Sequence, residues 1–454
     1  MHDLPFLIFL AALFGFGFRK PFLFVLAYAY IDIVEPQRLT YVLLNAVPIS
    51  MIAVVLAVGG WLAMDDKSGT RFTPRQGLLL ILLGYCFYTT LNADFRLEAL
   101  GKWDWVWKAL AFAIFLPLTL RTRLRIEAIL LFMTLSAASI IIVGGIKTAA
   151  GGGGYGELNL MIDNNSGLYE GSTISTVAVC IIPLILWFTR FGTIFKPDWR
   201  VKIFAWCLVF ACCLIPIGTS TRTGLLCIVL LAVLKLRDVK KPLIYIGAIA
   251  AMGMIAVPFL PSAFVERMGT IQNHQADSSA STRVAVWNWT MDYVKTHPMG
   301  GGFEAYRGNH IQYEKVEAVG EGNNVTLKTT IEKDQARAYH SAYFEMLGEQ
   351  GYPGLALWLI INLAGLLRME VVRQRYKKAD PDGDEAWIAP LASALQSGHI
   401  VYLLGACFIA IAFQPFVYML IGAQIGLDSY CARKRAAAAW QPLRKPRRQV
   451  AQAV

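Results

Sequence analysis

His340 and Ser341 stand where a long polar segment meets an apolar run, and nine residues further on comes Gly351-Tyr352-Pro353-Gly354. From Phe344 the chain is apolar for long enough to cross a bilayer. The pattern holds an imidazole at a water–membrane boundary, with a Gly/Pro break about two to three turns below it. An ionisable side chain in that place is a candidate functional group, and a neutral imidazole there can accept a proton. A helix-capping or interfacial histidine fits the same position.

Two arginines stand in comparable settings. Arg222 lies in Gly218-Thr219-Ser220-Thr221-Arg222-Thr223-Gly224, which opens the apolar run that ends at Lys235. A cation opposes the dipole at a helix N-terminus, so an arginine there among Ser220 and its neighbouring hydroxyls makes sense when an anion completes the site. Snorkelling toward lipid headgroups is the other reading. Arg283 lies in Ser281-Thr282-Arg283-Val284, where Ser281-Thr282 predicts an N-cap and Val284, Trp287, Met291 and Val294 recur at helical spacing. A solvated surface arginine is the alternative. If Arg222, Arg283 and His340 converge, the pocket suits a phosphate-rich ligand at the membrane surface. Gly300-Gly301-Gly302 would allow close backbone approach to such a ligand, or form a plain turn.

Carboxylates offer a competing constellation. Asp32 and Glu35 sit together on an outer loop, as divalent-metal ligands or as solvated interfacial acids. Glu345 and Glu349 read as pore-facing or paired with an arginine, and Asp163-Asn164-Asn165 as a loop turn or a sugar contact. No Walker, HExxH or GxSxG pattern occurs.

The elements that must position these groups follow from composition. Of 454 residues, 56% are hydrophobic and only 16% charged, against about 25% charged in soluble domains. The chain therefore reads as an all-α polytopic membrane protein of about twelve transmembrane helices. Spans are expected near 4–31 (broken at Arg19-Lys20), 43–64, 76–92, 103–120, 126–146, 171–190, 201–218, 222–236, 242–260, 343–368, 388–411 and 414–430. The first apolar stretch lacks a small-residue cleavage site and is expected to remain as a span. The net charge of +11 is concentrated in short loops on one side, which reports topology rather than nucleic-acid binding. That places both termini in the cytoplasm and 261–342 outside. Division of the chain follows: N-terminal helices over 1–170, core helices over 171–260, an outer loop over 261–342, C-terminal helices over 343–430 and a basic tail over 431–454. The outer loop should hold a helix ended by His297-Pro298 and a strand over Val325–Ile331, with Val316–Val319 as hairpin partner. The eight cysteines all lie in or beside spans and give neither a disulfide framework nor zinc spacing.

The motifs Gly218-Thr-Ser-Thr-Arg222-Thr-Gly224, Ser281-Thr-Arg283-Val-Ala-Val-Trp287, His297-Pro-Met-Gly-Gly-Gly302-Phe303 and His340-Ser-x9-Gly351-Tyr-Pro-Gly354 resemble those of the O-antigen ligase and O-antigen polymerase superfamily of bacterial membrane glycosyltransferases. The resemblance covers roughly 170–430. Phe16–Pro21 and Tyr30–Pro36 resemble the exosortase A-associated O-glycosylation ligase branch. The likeness implies a GT-C-like helical fold in the bacterial inner membrane with a periplasmic catalytic loop. It implies an undecaprenyl-diphosphate-linked glycan donor, and transfer without metal, nucleotide or other cofactor to a lipid, glycan or protein acceptor. By motif match Arg222 and Arg283 face the diphosphate and His340 the acceptor, with Ser220, Gly301, Gly302, Ser341, Gly351 and Gly354 lining the substrate site. The polar insertion at about 311–339 departs from the family pattern and leaves the acceptor open. A polymerase of the same fold would share these motifs. A flippase or other transporter would need no base, and the lack of an internal repeat weighs against it.

Overall fold

The computed structural model describes residues 3–40, 44, 47–150, 167–237, 278–319 and 326–439. The expected span 242–260 and Asp163-Asn164-Asn165 lie outside them.

Apolar runs in a bilayer must satisfy every backbone group internally, and helices do so here. In order they are α1 (Asp3–Gly17), α2 (Phe22–Val34), the short α3 (Pro36–Leu39), α4 (Ile49–Met64), α5 (Pro74–Leu91), α6 (Arg96–Thr119) and α7 (Arg123–Ala150). Then come α8 (Gly171–Phe191), α9 (Trp199–Gly218), α10 (Arg222–Leu236), α11 (Ser278–Thr296), α12 (Ala342–Tyr376), α13 (Ile388–Gly405) and α14 (Pro415–Ala439). Between α11 and α12 lie a 3-10 turn (Ala305–Gly308) and strands β1 (His310–Val319) and β2 (Thr326–Gln335), paired antiparallel from His310 opposite Gln335 to Val319 opposite Thr326. The expected hairpin is present and extends several residues beyond both expected segments.

Among the described residues, five helices are long and apolar enough to cross a membrane: α7, α8, α9, α12 and α13. The expectation of about twelve spans is met only in part. Helices α1, α2 and α4 are apolar but short. The expected broken first span is two helices, since α1 ends at Gly17 and α2 begins at Phe22. Helix α10 has 15 residues. In α6 the first four turns carry Arg96, Glu98, Lys102, Asp104 and Lys108, which lowers its hydropathy while supplying polar groups to one end of the bundle.

Small residues bring the helices close. A side chain at Gly405 would strike Thr176, and one at Gly398 the Cys180 carbonyl, so α13 lies directly on α8. Within the bundle a buried chain of side chains fixes α5, α12, α13 and α14. Arg75 donates to Gln424 Oε1 at 3.2 Å, and Gln424 Nε2 donates to His399 Nδ1 at 3.1 Å. That makes His399 Nε2 the ring donor, and it reaches Asn362 Oδ1 at 2.8 Å.

Candidate functional site

His340 is the second residue before α12, at φ 48°, and Ser341 caps that helix in an extended conformation. A non-glycine residue at positive φ is strained and persists only where neighbours hold it. Here they hold it from both sides. Buried Asn309 grips the preceding segment, accepting from Arg337 N at 3.0 Å and donating to Arg337 O at 2.6 Å. Trp287 of α11 donates to Tyr339 O at 2.9 Å and stacks on Phe344 at 4.9 Å between ring centroids. Behind His340, Ala342 N donates to Ala406 O at 2.8 Å, tying the start of α12 to the end of α13.

Arg283 lies one turn before Trp287 on the same face of α11, and so comes to the imidazole that Trp287 helps to hold. The His340 pKa lies below its ordinary value, chiefly because packed protein desolvates it, then because of the Arg283 guanidinium; Glu170 opposes the shift. Arg283 is not in the first turn of its helix as expected: α11 begins at Ser278 and Arg283 is in its second turn. The argument from the dipole at that N-terminus therefore does not apply to it.

Arg222 opens α10 as expected, after the N-cap Thr221 and two residues after Ser220 at φ 51°. That strained turn is closed by hydroxyls: Ser175 meets Thr219 at 2.8 Å, and Thr221 donates to Ser175 at 2.9 Å. Gly171 packs on Thr219, and Glu170 caps α8 by accepting from Ser172 N at 3.0 Å and Thr173 N at 2.6 Å. The turn that carries Arg222 thus abuts the α8 terminus, and Glu170 at that terminus acts on His340. Arg283 and His340 are brought together directly, and Arg222 joins their neighbourhood through α8.

The glycines do something other than expected. Gly301 N donates to Gly348 O at 3.0 Å and Gly302 N to Glu349 O at 2.9 Å. Those carbonyls are released where α12 breaks at Gly351, φ 63° and ψ −167°. A side chain at Gly300 or Gly351 would overlap the other's backbone, and Gly354 faces Tyr85. The Gly300–Gly302 turn therefore plugs the helix break, and the N–H groups of Gly301 and Gly302 are committed to backbone carbonyls instead of a ligand.

Sequence reasoning missed the partner of the two glutamates. It is a lysine, not an arginine. Lys102 of α6 donates to Glu345 at 2.7 Å and to Glu349 at 2.8 Å, between the rings of Phe303 and Phe413. Glu349 also accepts from Glu304 N at 3.0 Å, and Glu345 from Ala412 N at 2.9 Å. This network floors a cavity of about 340 Å³ whose wall includes Tyr339, the residue before His340. Asp32 and Glu35 line a smaller cavity of about 150 Å³, where Ser50 donates to Asp32 at 3.1 Å and Arg38 pairs with Glu35 at 3.0 Å. Only the sequence distance hid Lys102: it lies 243 residues from Glu345. Glu170 was legible as an acid opening an apolar run, and Asn309 left no signal.

Apolar helices long enough to span a bilayer, with a strained histidine and arginine at one end under a small loop domain, define a multi-pass membrane protein with a polar site at its surface. Residues 206–359 match the family model of O-antigen ligases, and this segment holds Arg222, Arg283 and His340. Over that segment the chain is similar to the O-antigen ligases, which supports a membrane protein of the glycan-transferring type. Residues 1–193 match a family of unknown function (DUF5935). No curated protein matches the chain.

Proposed function

We propose that this protein transfers a glycan from an undecaprenyl-diphosphate-linked donor to an acceptor hydroxyl at the periplasmic face of the inner membrane. The observation that carries the reading is the approach of the Arg283 charge to a strained, solvent-accessible His340 where the loop domain meets α12. A neutral imidazole takes the acceptor proton as the hydroxyl oxygen bonds to the sugar's anomeric carbon. The bond from that carbon to the diphosphate oxygen breaks, and its electron pair leaves with the diphosphate. Guanidiniums of Arg283 and Arg222 receive the developing charge through paired hydrogen bonds.

The test separates donor binding from transfer on purified protein in nanodiscs. His340→Ala should bind the lipid-diphosphate glycan almost normally and transfer it about 10²–10⁴-fold more slowly. Arg222→Ala and Arg283→Ala should lose donor affinity and turnover together, and lysine should restore little, because an ammonium lacks the planar fork. Transfer by His340→Ala at the wild-type rate would refute the mechanism. The assay is run in excess EDTA; activity lost there and restored by Mg²⁺ would favour a carboxylate-based design.

A further inference from the structure

The 340 Å³ cavity beside Tyr339 has a chemistry unlike that of the Arg283 site. Its lining acids (Glu98, Glu304, Glu345, Glu349) outnumber its bases (Lys102, Arg307) four to two. Such a wall repels a diphosphate. It also presents aromatic faces: Trp105, half-buried on α6, and Tyr306, set edge-on to Tyr339 with ring centroids 5.7 Å apart. Its volume falls within the range of about 300–1,000 Å³ typical of small-molecule pockets. Glu345 and Glu349 are buried and both accept from the largely buried Lys102, so the three give the floor a fixed shape. Glu98 at the mouth is exposed, and Glu304 is held at φ 64° by its N–H bond to Glu349.

Carboxylates beside aromatic faces suit one ligand class. A sugar ring offers a C–H face that packs on an aromatic ring, and hydroxyls at its edge that donate to carboxylates. Trp105 and Gly101 also line the 150 Å³ cavity with Asp32, Glu35 and Asp104, so the indole stands between two polar compartments. Gln414 lines the larger cavity and Pro415 the smaller, which brings the two together at a second point. Gln414 also donates to Gly167 O at 2.9 Å, three residues from Glu170, a separation of at most about 11 Å along an extended chain.

We infer that these two cavities form a saccharide-binding trough, with Trp105 as its central platform, which holds sugar units of a substrate next to His340. The inference rests on the proposed glycan transfer. Sugars reach such a site on the lipid-linked donor or on the acceptor, and both have the same recognition chemistry.

The experiment has a binding arm and a kinetic arm, each on the full-length protein in nanodiscs. Saturation-transfer NMR is recorded with glucose, galactose, N-acetylglucosamine, maltotriose and chitotriose. At least one should bind, with its signal reduced five-fold or more in Trp105→Ala, retained largely in Trp105→Phe, and unaffected by inorganic diphosphate. Binding by none of the five, equal binding by Trp105→Ala, or displacement by diphosphate would overturn the trough. In the kinetic arm Trp105→Ala and Glu98→Gln should raise one KM about ten-fold with kcat nearly unchanged. A raised donor KM assigns the trough to the donor glycan and a raised acceptor KM to the acceptor; both unchanged refutes it. Glu98 is exposed, so that variant tests the site without disturbing the buried floor. If the wild-type protein transfers no glycan, the proposed function falls, while the binding arm still decides the trough.

Discussion

His340 combines features that rarely coincide by accident: positive φ, clamps on both flanks, and a cation that opposes its protonation. Each has a cause in a named neighbour, and together they set a testable pH dependence. The base form is the neutral imidazole, so activity is lost as pH falls through the His340 pKa. That pKa is depressed, so the acidic limb of kcat should lie below the ordinary histidine value of about 6.5. Arg283→Gln removes one cause of the depression and should move the limb upward, measured from pH–rate profiles at saturating substrate. A limb that stays in place would mean that the Arg283 charge does not reach the imidazole. Stability carries the matching sign. The unfolded chain takes up this proton first, so the fold weakens as pH drops through 6.5 and on to the depressed folded value.

At the scale of elements, the entry of α12 is the joint on which the site depends. Its carbonyls at the Gly351 break are satisfied by Gly301 and Gly302, and its first turns are anchored to α6 by Lys102. Lys102→Met would leave Glu345 and Glu349 buried without their cation. The expected loss is about 3–5 kcal/mol, read as a lower Tm in detergent. An unchanged Tm would show that the carboxylates do not depend on the lysine. Gly300 has φ 83° and lies against the Glu349 carbonyl. Gly300→Ala should cost about 1–3 kcal/mol in backbone strain alone and reduce transfer by displacing α12. Wild-type stability in that variant would mean that the plug does not hold the helix break.

For the whole molecule, the arrangement separates two chemistries at one end of a helical bundle, basic groups around His340 and an acidic, aromatic trough on the other side of Tyr339. Such a division fits a substrate with a charged lipid-linked part and a neutral glycan part. Both chemistries must face the same compartment. In a cysteine-free background, a cysteine at exposed His310 should react with an impermeant reagent added outside, and one at exposed Lys378 should not. The reverse pattern would remove the site from an externally facing donor.

The sequence alone determined the helical membrane character, because a bilayer accepts long apolar runs only as helices or closed barrels. It also marked His340 and Arg222, since each sits at the edge of an apolar run where polarity changes abruptly, and the Gly351 break, since Gly and Pro interrupt a run there. The hairpin was visible through its alternation. Which apolar runs become helices of spanning length, five among the described residues, and the two-helix start depended on helix ends that hydropathy does not define. Arg283 was singled out from a helix start that the structure moves by more than a turn, and its nearness to His340 comes from α11 packing on α12. Lys102 and its two glutamates became a unit only in the folded chain. Their attraction acts through space between helices, and nothing in local spacing encodes a partner 243 residues away.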